Sequence, residues 1–225
     1  MFDLKIIVAM PAFNEEAFIA EMVIGAKKHS DEVIVIDDGS VDRTSEIAEE
    51  NGAYVIKHQK NLGKGAAIQT IMGEVRKRDA DVLILMDADG QHNPDEIPRL
   101  VNSLNGGDID LVIGTRFMEK NCIPTYRKFG LMVMNFSTRI ASGSDVVDSQ
   151  SGFRALSRNA LNLLTLFEYG FAIESEMIVD AAKKGLKMKE TPISCRYDVD
   201  GSTLDPLTHG FKVMTGIMKV ILAQF

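Results

Sequence analysis

Two aspartates one residue apart, Asp87 and Asp89, stand in Asp87-Ala88-Asp89-Gly90-Gln91, directly behind the apolar run Val82-Leu83-Ile84-Leu85-Met86. Alternate residues of an extended chain share a face, so both carboxylates aim at one object. Two like charges that close call for a counter-charge, and a hard divalent cation bound through oxygen supplies it. Gln91 adds a neutral oxygen on the same side. The same residues with His92-Asn93-Pro94 also make a good turn, so this segment alone leaves a metal site and a plain loop both open.

The elements that must position these carboxylates follow from the pattern around them. A short, near-continuous apolar run reads as a strand buried on both faces, and open α/β sheets place ligands outside the carboxyl ends of such strands. Strands are expected at 5–10, 33–36, 53–57, 82–86 and 109–114, alternating with helices at 15–28, 42–50, 65–77 and 94–104. This rhythm predicts an α/β fold, a mostly parallel, doubly wound sheet with helices on both faces. The second half departs from it, with a Met-rich helix at 126–140, a short strand at 152–156, helices at 160–167 and 173–184, and a strand at 186–196 around Pro192. No linker or repeat interrupts the chain, so residues 1–225 read as one domain.

Composition narrows the function classes. A net charge of −7 over 225 residues argues against nucleic acid as a partner, which would need a basic field. Hydrophobic content of 45% with 25% charged residues is that of a globular domain. Cys122 and Cys195 lack metal-binding spacing and read as inert, reduced thiols, with a disulfide between them the alternative. The start Met1-Phe2-Asp3 lacks the basic region of a signal peptide, and no window reaches the roughly 18 apolar residues of a membrane span. The expectation is a cytoplasmic chain, soluble or peripheral at a membrane face. His92 reads as a surface-loop residue, and His29, His58 and His209 show no partner pattern.

Polar residues follow the other expected strands as well: Pro11-Ala12-Phe13-Asn14-Glu15-Glu16, Asp37-Asp38-Gly39-Ser40, Asn61-Leu62-Gly63-Lys64-Gly65 and Gly114-Thr115-Arg116-Phe117. Each alone makes an acceptable turn or cap. Their convergence on one edge of one sheet points to a ligand site. Gly63-Lys64-Gly65 is too short for a phosphate P-loop, but it would let backbone amides and Lys64 approach a ligand closely.

Taken in order, PAFNEE, VIDDGSVDRT, NLGKGAAI, DADGQH, GTRF and QSGFRALSR resemble family 2 glycosyltransferases of the GT-A fold. Within that family the chain is most similar to the polyprenyl-phosphate glycosyltransferases, the dolichol-phosphate mannose synthases among them. The resemblance runs from about residue 6 to about residue 201. It implies a donor half over 1–117 and an acceptor half over 118–205; the spacing of apolar residues beyond it predicts a C-terminal amphipathic helix over 206–225.

Carried onto this sequence, the resemblance implies that Pro11, Phe13 and Glu15 line the nucleotide site and that Asp38 hydrogen-bonds the base or ribose. Asp87, Asp89 and Gln91 would hold Mg²⁺ or Mn²⁺ against the diphosphate of a nucleotide-sugar donor. Arg116 and Arg127 would grip the phosphate of a polyprenyl or dolichyl phosphate acceptor, since a guanidinium pairs with phosphate oxygens in a bidentate fork. Arg154 fits the SGFRA segment, as a ligand contact or as a structural partner. Arg196 is displaced by two residues from the family's Arg, and Thr203 stands where Lys is usual.

The family inverts the anomeric centre. A phosphate acceptor is already ionised at neutral pH and needs cations to place it; a hydroxyl acceptor would need a carboxylate base, for which Asp148, Glu174 and Glu176 are the candidates. A hydroxyl-acceptor enzyme and a non-catalytic nucleotide-sugar-binding subunit are the alternatives. Leu207, Phe211, Met214, Met218, Ile221 and Phe225 form one apolar helical face, suited to a membrane interface, a homo-oligomer, a membrane-embedded partner or the domain itself.

Overall fold

The computed structural model describes residues 4–104, 108–117 and 125–196, with backbone alone for 125–130. Among the described residues, seven strands form one sheet: β1 (Ile6–Ala12), β2 (Glu32–Asp37), β3 (Tyr54–Lys57), β4 (Val82–Leu85), β5 (Leu111–Thr115), β6 (Arg154–Ser157) and β7 (Met188–Pro192). Their spatial order is β3-β2-β1-β4-β6-β5-β7. Pairings are parallel except those of β6, which runs antiparallel between β4 and β5.

The side-chain alternation of a strand builds two cores. Ile7, Ala9, Ile34 and Ile36 pack on one face under α3 (Lys64–Lys77), α6 (Arg158–Leu163) and α7 (Ile173–Lys183). Val8, Met10, Val33 and Val35 pack on the other under α1 (Ile19–Lys27), α2 (Thr44–Glu50) and α4 (Ile97–Leu104). Because both faces are covered, the central strands β1, β2, β4 and β5 are near-continuous apolar runs rather than alternating. Burying one Ile or Leu in such a core contributes about 1.5–3 kcal/mol.

Several elements are shorter than their local pattern predicts, for tertiary reasons. Helix α1 begins at Ile19 rather than Glu15, because the preceding residues bond across to the β2–α2 loop: the Asn14, Glu15 and Glu16 amides donate to Ser40 Oγ, Thr44 Oγ1 and Asp42 Oδ2. Helix α6 ends at Leu163 rather than Phe167, where Arg76 captures the Leu161 and Leu164 carbonyls and Lys184 that of Leu163. Strand β7 ends at Pro192 rather than Arg196. Helix α5 (Thr125–Ser142) packs on α7, where Thr138 Oγ1 and Ser175 Oγ are hydrogen-bonded at 2.9 Å. Cys122, His209 and the expected helix over 206–225 lie outside the described residues.

Candidate active site

All parallel strands end on one edge of the sheet, and β6 begins there because it runs the opposite way. Leu85 of β4 pairs with Arg154 of β6, so Gly152 lies level with Asp87. A Cβ built on Gly152 would stand 2.6 Å from Asp87 Cγ, so only glycine leaves room for the carboxylate there. The loop beyond is tight: the Gln91 amide donates to Asp89 Oδ1 at 3.0 Å, and Gly90, at φ +74°, lies against the Phe18 ring. The Gln91 carbonyl accepts from the Arg196 amide at 2.9 Å, which ties the chain after β7 to this loop.

Lys64, the first residue of α3, brings its ammonium to 2.7 Å from Asp87 Oδ1 and 2.6 Å from Glu174 Oε1. Glu174, in the first turn of α7, is buried, and its Oε2 has no hydrogen-bond partner among the described residues. His92 is buried, not on the surface as expected; it packs against Phe153 with ring centroids 5.2 Å apart and puts Nε2 3.8 Å from Asp87 Oδ2.

Burial would raise the Asp87 carboxyl, but the Lys64 ammonium, with His92 beside it, holds it well below the usual range. Asp89 goes the other way, raised by burial and by the Asp87 charge. Glu15 is pushed up to about 8 by burial and then by Asp89, Asp87 and Asp42. Burial opposes the Lys64 charge, yet Asp87 and Glu174 outweigh it and raise the ammonium above its ordinary range.

Asp38 is almost wholly buried and accepts from the amides of Leu62 (3.0 Å) and Gly63 (2.8 Å), with His58 Nδ1 at 2.7 Å. It thereby shapes the loop that carries Lys64, and His58 has the partner its sequence context does not reveal. The amides of Gly65 and Ala66 donate to the Tyr169 carbonyl. The amides of Leu62, Gly63, Gly65 and Ala66 therefore serve the fold, which corrects for these four the expectation that the loop's amides approach a ligand; the charge of Lys64 faces Asp87.

Arg116 leaves the end of β5 and forks onto Asp148, Nε to Oδ2 at 2.8 Å and Nη2 to Oδ1 at 2.7 Å. Asp148 is fully buried, and Glu190 accepts from its amide. Arg154 is also buried, and its three nitrogens donate at 2.8 Å to the carbonyls of Ser151, Glu174 and Ser149. Of the two readings open for Arg154, this geometry is that of the structural partner. Burial pulls it down to about 10, still a cation at neutral pH. The Arg196 guanidinium lies 3.2 Å from Glu21 on α1. Pro11 lies in β1, and the Phe13 ring just beyond it is 43% exposed. The side chain of Arg127 lies outside the described residues.

Sequence reasoning passes over three contributors. Gly152 acts through a contact made across the sheet, which no local pattern announces. Asp148 and Glu174 read from the sequence only as bases for a hydroxyl acceptor, whereas in the fold they hold Arg116 and Lys64. A surface groove of about 520 Å³ lined by Lys27, Asp31, Glu32 and Tyr54 lies at the amino ends of β2 and β3, the far edge from these carboxylates.

The donor set suits a hard cation shared with a ligand. Among the described residues no three His, Cys, Asp or Glu side chains form a group able to hold a metal ion unaided. Asp87, paired with Lys64, and Asp89 supply two carboxylates one residue apart, and a cation of the Mg²⁺ class uses one or two carboxylates plus substrate phosphate oxygens.

Residues 7–164 match the family described as glycosyl transferase family 2. The chain belongs to that family. It is a glycosyltransferase with a GT-A fold. Among its relatives, it is 38% identical to the uncharacterized protein MJ1222 of Methanocaldococcus jannaschii, over 98% of this chain and 92% of that one. It is 33% identical to the UDP-N-acetylglucosamine–dolichyl-phosphate N-acetylglucosaminyltransferase of Methanococcus voltae, over 96% and 93%. Among solved structures, this glycosyltransferase is similar to the glucosyl-3-phosphoglycerate synthase of Mycobacterium tuberculosis, crystallised with Mn²⁺, UDP and glucosyl-3-phosphoglycerate. The TM-score is 0.79 at 25% identity, with coverage of 97% of this chain and 80% of that one. No helix among the described residues is long and apolar enough to cross a membrane.

Proposed function

We propose that this glycosyltransferase moves a sugar from a nucleotide sugar to a polyprenyl phosphate of the dolichyl type, with inversion at the anomeric carbon and with Mg²⁺ or Mn²⁺. The observation that carries the reading is the set of carboxylates at the carboxyl edge, Asp87 and Asp89 just beyond β4 with Glu174 facing them, among which Lys64 is shared by Asp87 and Glu174. Asp87, Asp89 and Gln91 would hold the cation, which when bound neutralises charge developing on the leaving diphosphate. Phe13 offers an exposed ring beside the site on which a base can stack.

The likeness to a dolichyl-phosphate N-acetylglucosaminyltransferase over nearly the whole of both chains supports the lipid phosphate acceptor. One acceptor phosphate oxygen forms the new bond to the anomeric carbon as the bond to the nucleoside diphosphate breaks. That oxygen is already ionised at neutral pH, so no proton has to be removed by a base. Asp148 fixes the orientation of Arg116 near this edge, and Arg116 with Arg127 would place the acceptor phosphate. Met132, Phe136 and Ile140 recur every four residues along α5 and are each about two-thirds exposed. Such a stripe supports contact with the lipid and a peripheral position at the membrane.

The reading is tested by transfer from radiolabelled nucleotide sugars into organic-extractable dolichyl phosphate product, with Mn²⁺ or with EDTA. Label in the lipid phase that depends on the metal is expected from one donor. Label only in water-soluble product would overturn the lipid acceptor, and equal transfer in EDTA would overturn the metal.

A further inference from the structure

One ammonium stands between two carboxylates in the centre of the site. Lys64 Nζ is 2.7 Å from Asp87 and 2.6 Å from Glu174, and all three side chains are largely shielded from solvent. Glu174 does not reach the metal motif itself; it meets it through Lys64. Its Oε2, buried and without a hydrogen-bond partner among the described residues, is an acceptor in reserve. The helix end that carries it is fastened, because Arg154 holds the Glu174 carbonyl at 2.8 Å.

These contacts set two uses of Asp87 in competition. Its Oδ1 is occupied by Lys64 and its Oδ2 backs onto Gly152, where a Cβ would overlap it. A divalent cation, which the reading of Asp87 and Asp89 as ligands requires and on which this inference rests, therefore competes with the ammonium for the same carboxylate. A cation and an ammonium that close repel, so one must yield. With both oxygens of Glu174 behind it, the ammonium has somewhere to go that keeps it paired and buried, and a buried charge must stay paired.

We propose that Lys64 is the exchangeable counter-ion of Asp87, displaced when the divalent cation binds, and that Glu174 is the positioning residue that receives it. Lys64 thus keeps Asp87 neutralised when the site holds no metal, and sets the concentration of metal needed to open it.

The test is Mn²⁺ binding to the full-length, nucleotide-free protein, read from the free-ion signal in electron paramagnetic resonance. The decisive variant is Lys64→Met with Glu174→Gln, which removes one charge of each sign and leaves the field on Asp87 and Asp89 nearly unchanged. It is expected to bind Mn²⁺ about tenfold more tightly than wild type, because the competitor for Asp87 has gone. Glu174→Gln alone is expected to bind about tenfold more weakly, because the ammonium then has only Asp87 as partner. Wild-type affinity in the double variant overturns the exchange. Absence of Mn²⁺ binding to the wild type, with and without nucleoside diphosphate, overturns the metal reading as well, so the two failures are distinct.

A crystal structure of the wild type with Mn²⁺ and a nucleoside diphosphate tests the same exchange without relying on variants that fold. Lys64 Nζ should leave hydrogen-bond distance of Asp87, beyond about 3.5 Å, and still contact Glu174. Retention of its contact with Asp87 beside a bound metal would overturn the proposal.

Discussion

Gly152 backs directly onto the carboxylate of Asp87: a Cβ at position 152 would stand 2.6 Å from Asp87 Cγ. The missing side chain is part of the site, although it touches no ligand. Gly152→Ala must displace the Asp87 carboxylate or shift the β4–β6 pairing. Overpacking of this kind costs about 1–3 kcal/mol. Activity should fall by about two orders of magnitude, as does misplacing a reacting group by an ångström, and the half-saturating Mn²⁺ concentration should rise. Full activity with unchanged metal dependence would show that Asp87 can move without consequence.

Arg154 holds three carbonyls from two segments, Ser149 and Ser151 before β6 and Glu174 at the start of α7. Removal takes the donor from the Ser149 and Ser151 carbonyls, which lie outside any helix, at about 1–3 kcal/mol each before relaxation. Arg154→Met is therefore expected to lower the urea midpoint sharply. Lysine, a point charge without the planar fork, should restore only part of that loss. If Arg154→Met unfolds at the wild-type midpoint but loses activity, Arg154 contacts substrate instead.

Glu15 makes metal-free stability depend on pH. Its carboxyl keeps a proton up to about pH 8 in the folded chain, against an ordinary value of 4.5. Between those values the folded state binds more protons than the unfolded one, so the contribution is fully present below about 4.5 and is lost as pH rises through 8. In EDTA, the stability difference between wild type and Glu15→Gln should therefore shift against the wild type between about pH 5 and about pH 8.5. Urea titrations at the two pH values measure it. Mn²⁺ with a nucleoside diphosphate should shrink the shift, because it neutralises the Asp87 and Asp89 charges that act on Glu15.

The exposed stripe of α5 can be charged without touching either core. Met132→Glu with Phe136→Glu should leave thermal stability within about 0.5 kcal/mol, as for surface changes generally. Transfer to dolichyl phosphate in vesicles should fall on the order of tenfold, since buried apolar area sets such attachment. Transfer to a short, water-soluble polyprenyl phosphate should be unaffected. An equal loss on both acceptors would place the stripe in the catalytic domain's own packing.

The alternating strands and helices of the first half, and the polar loops that follow them, are written in local patterns that short segments carry by themselves. The Asp87–Asp89 pair stands where its apolar run predicts, just beyond the end of β4. Partners joined across the sheet are not written that way. Asp148 lies 32 residues from Arg116, and Glu174 lies 110 residues from Lys64 and 87 from Asp87. Arg154 offers the clearest case: an arginine beside a motif suggests an anion, whereas a strand reversed between β4 and β5 buries it among carbonyls. His92 likewise sits in a loop sequence but under Phe153.

The reversed strand β6 also governs how such enzymes can be recombined. Its hydrogen bonds to β4 and β5 stitch residues 154–157 between two strands that precede them by dozens of positions. A graft that exchanges everything after residue 117 with a relative would import a foreign central strand, together with the glycine that must clear the host's Asp87. Chimeras with new acceptor preferences should therefore retain β4, β5, β6 and the Ser149–Phe153 approach as one inherited block, and vary α5 and the loop before α7.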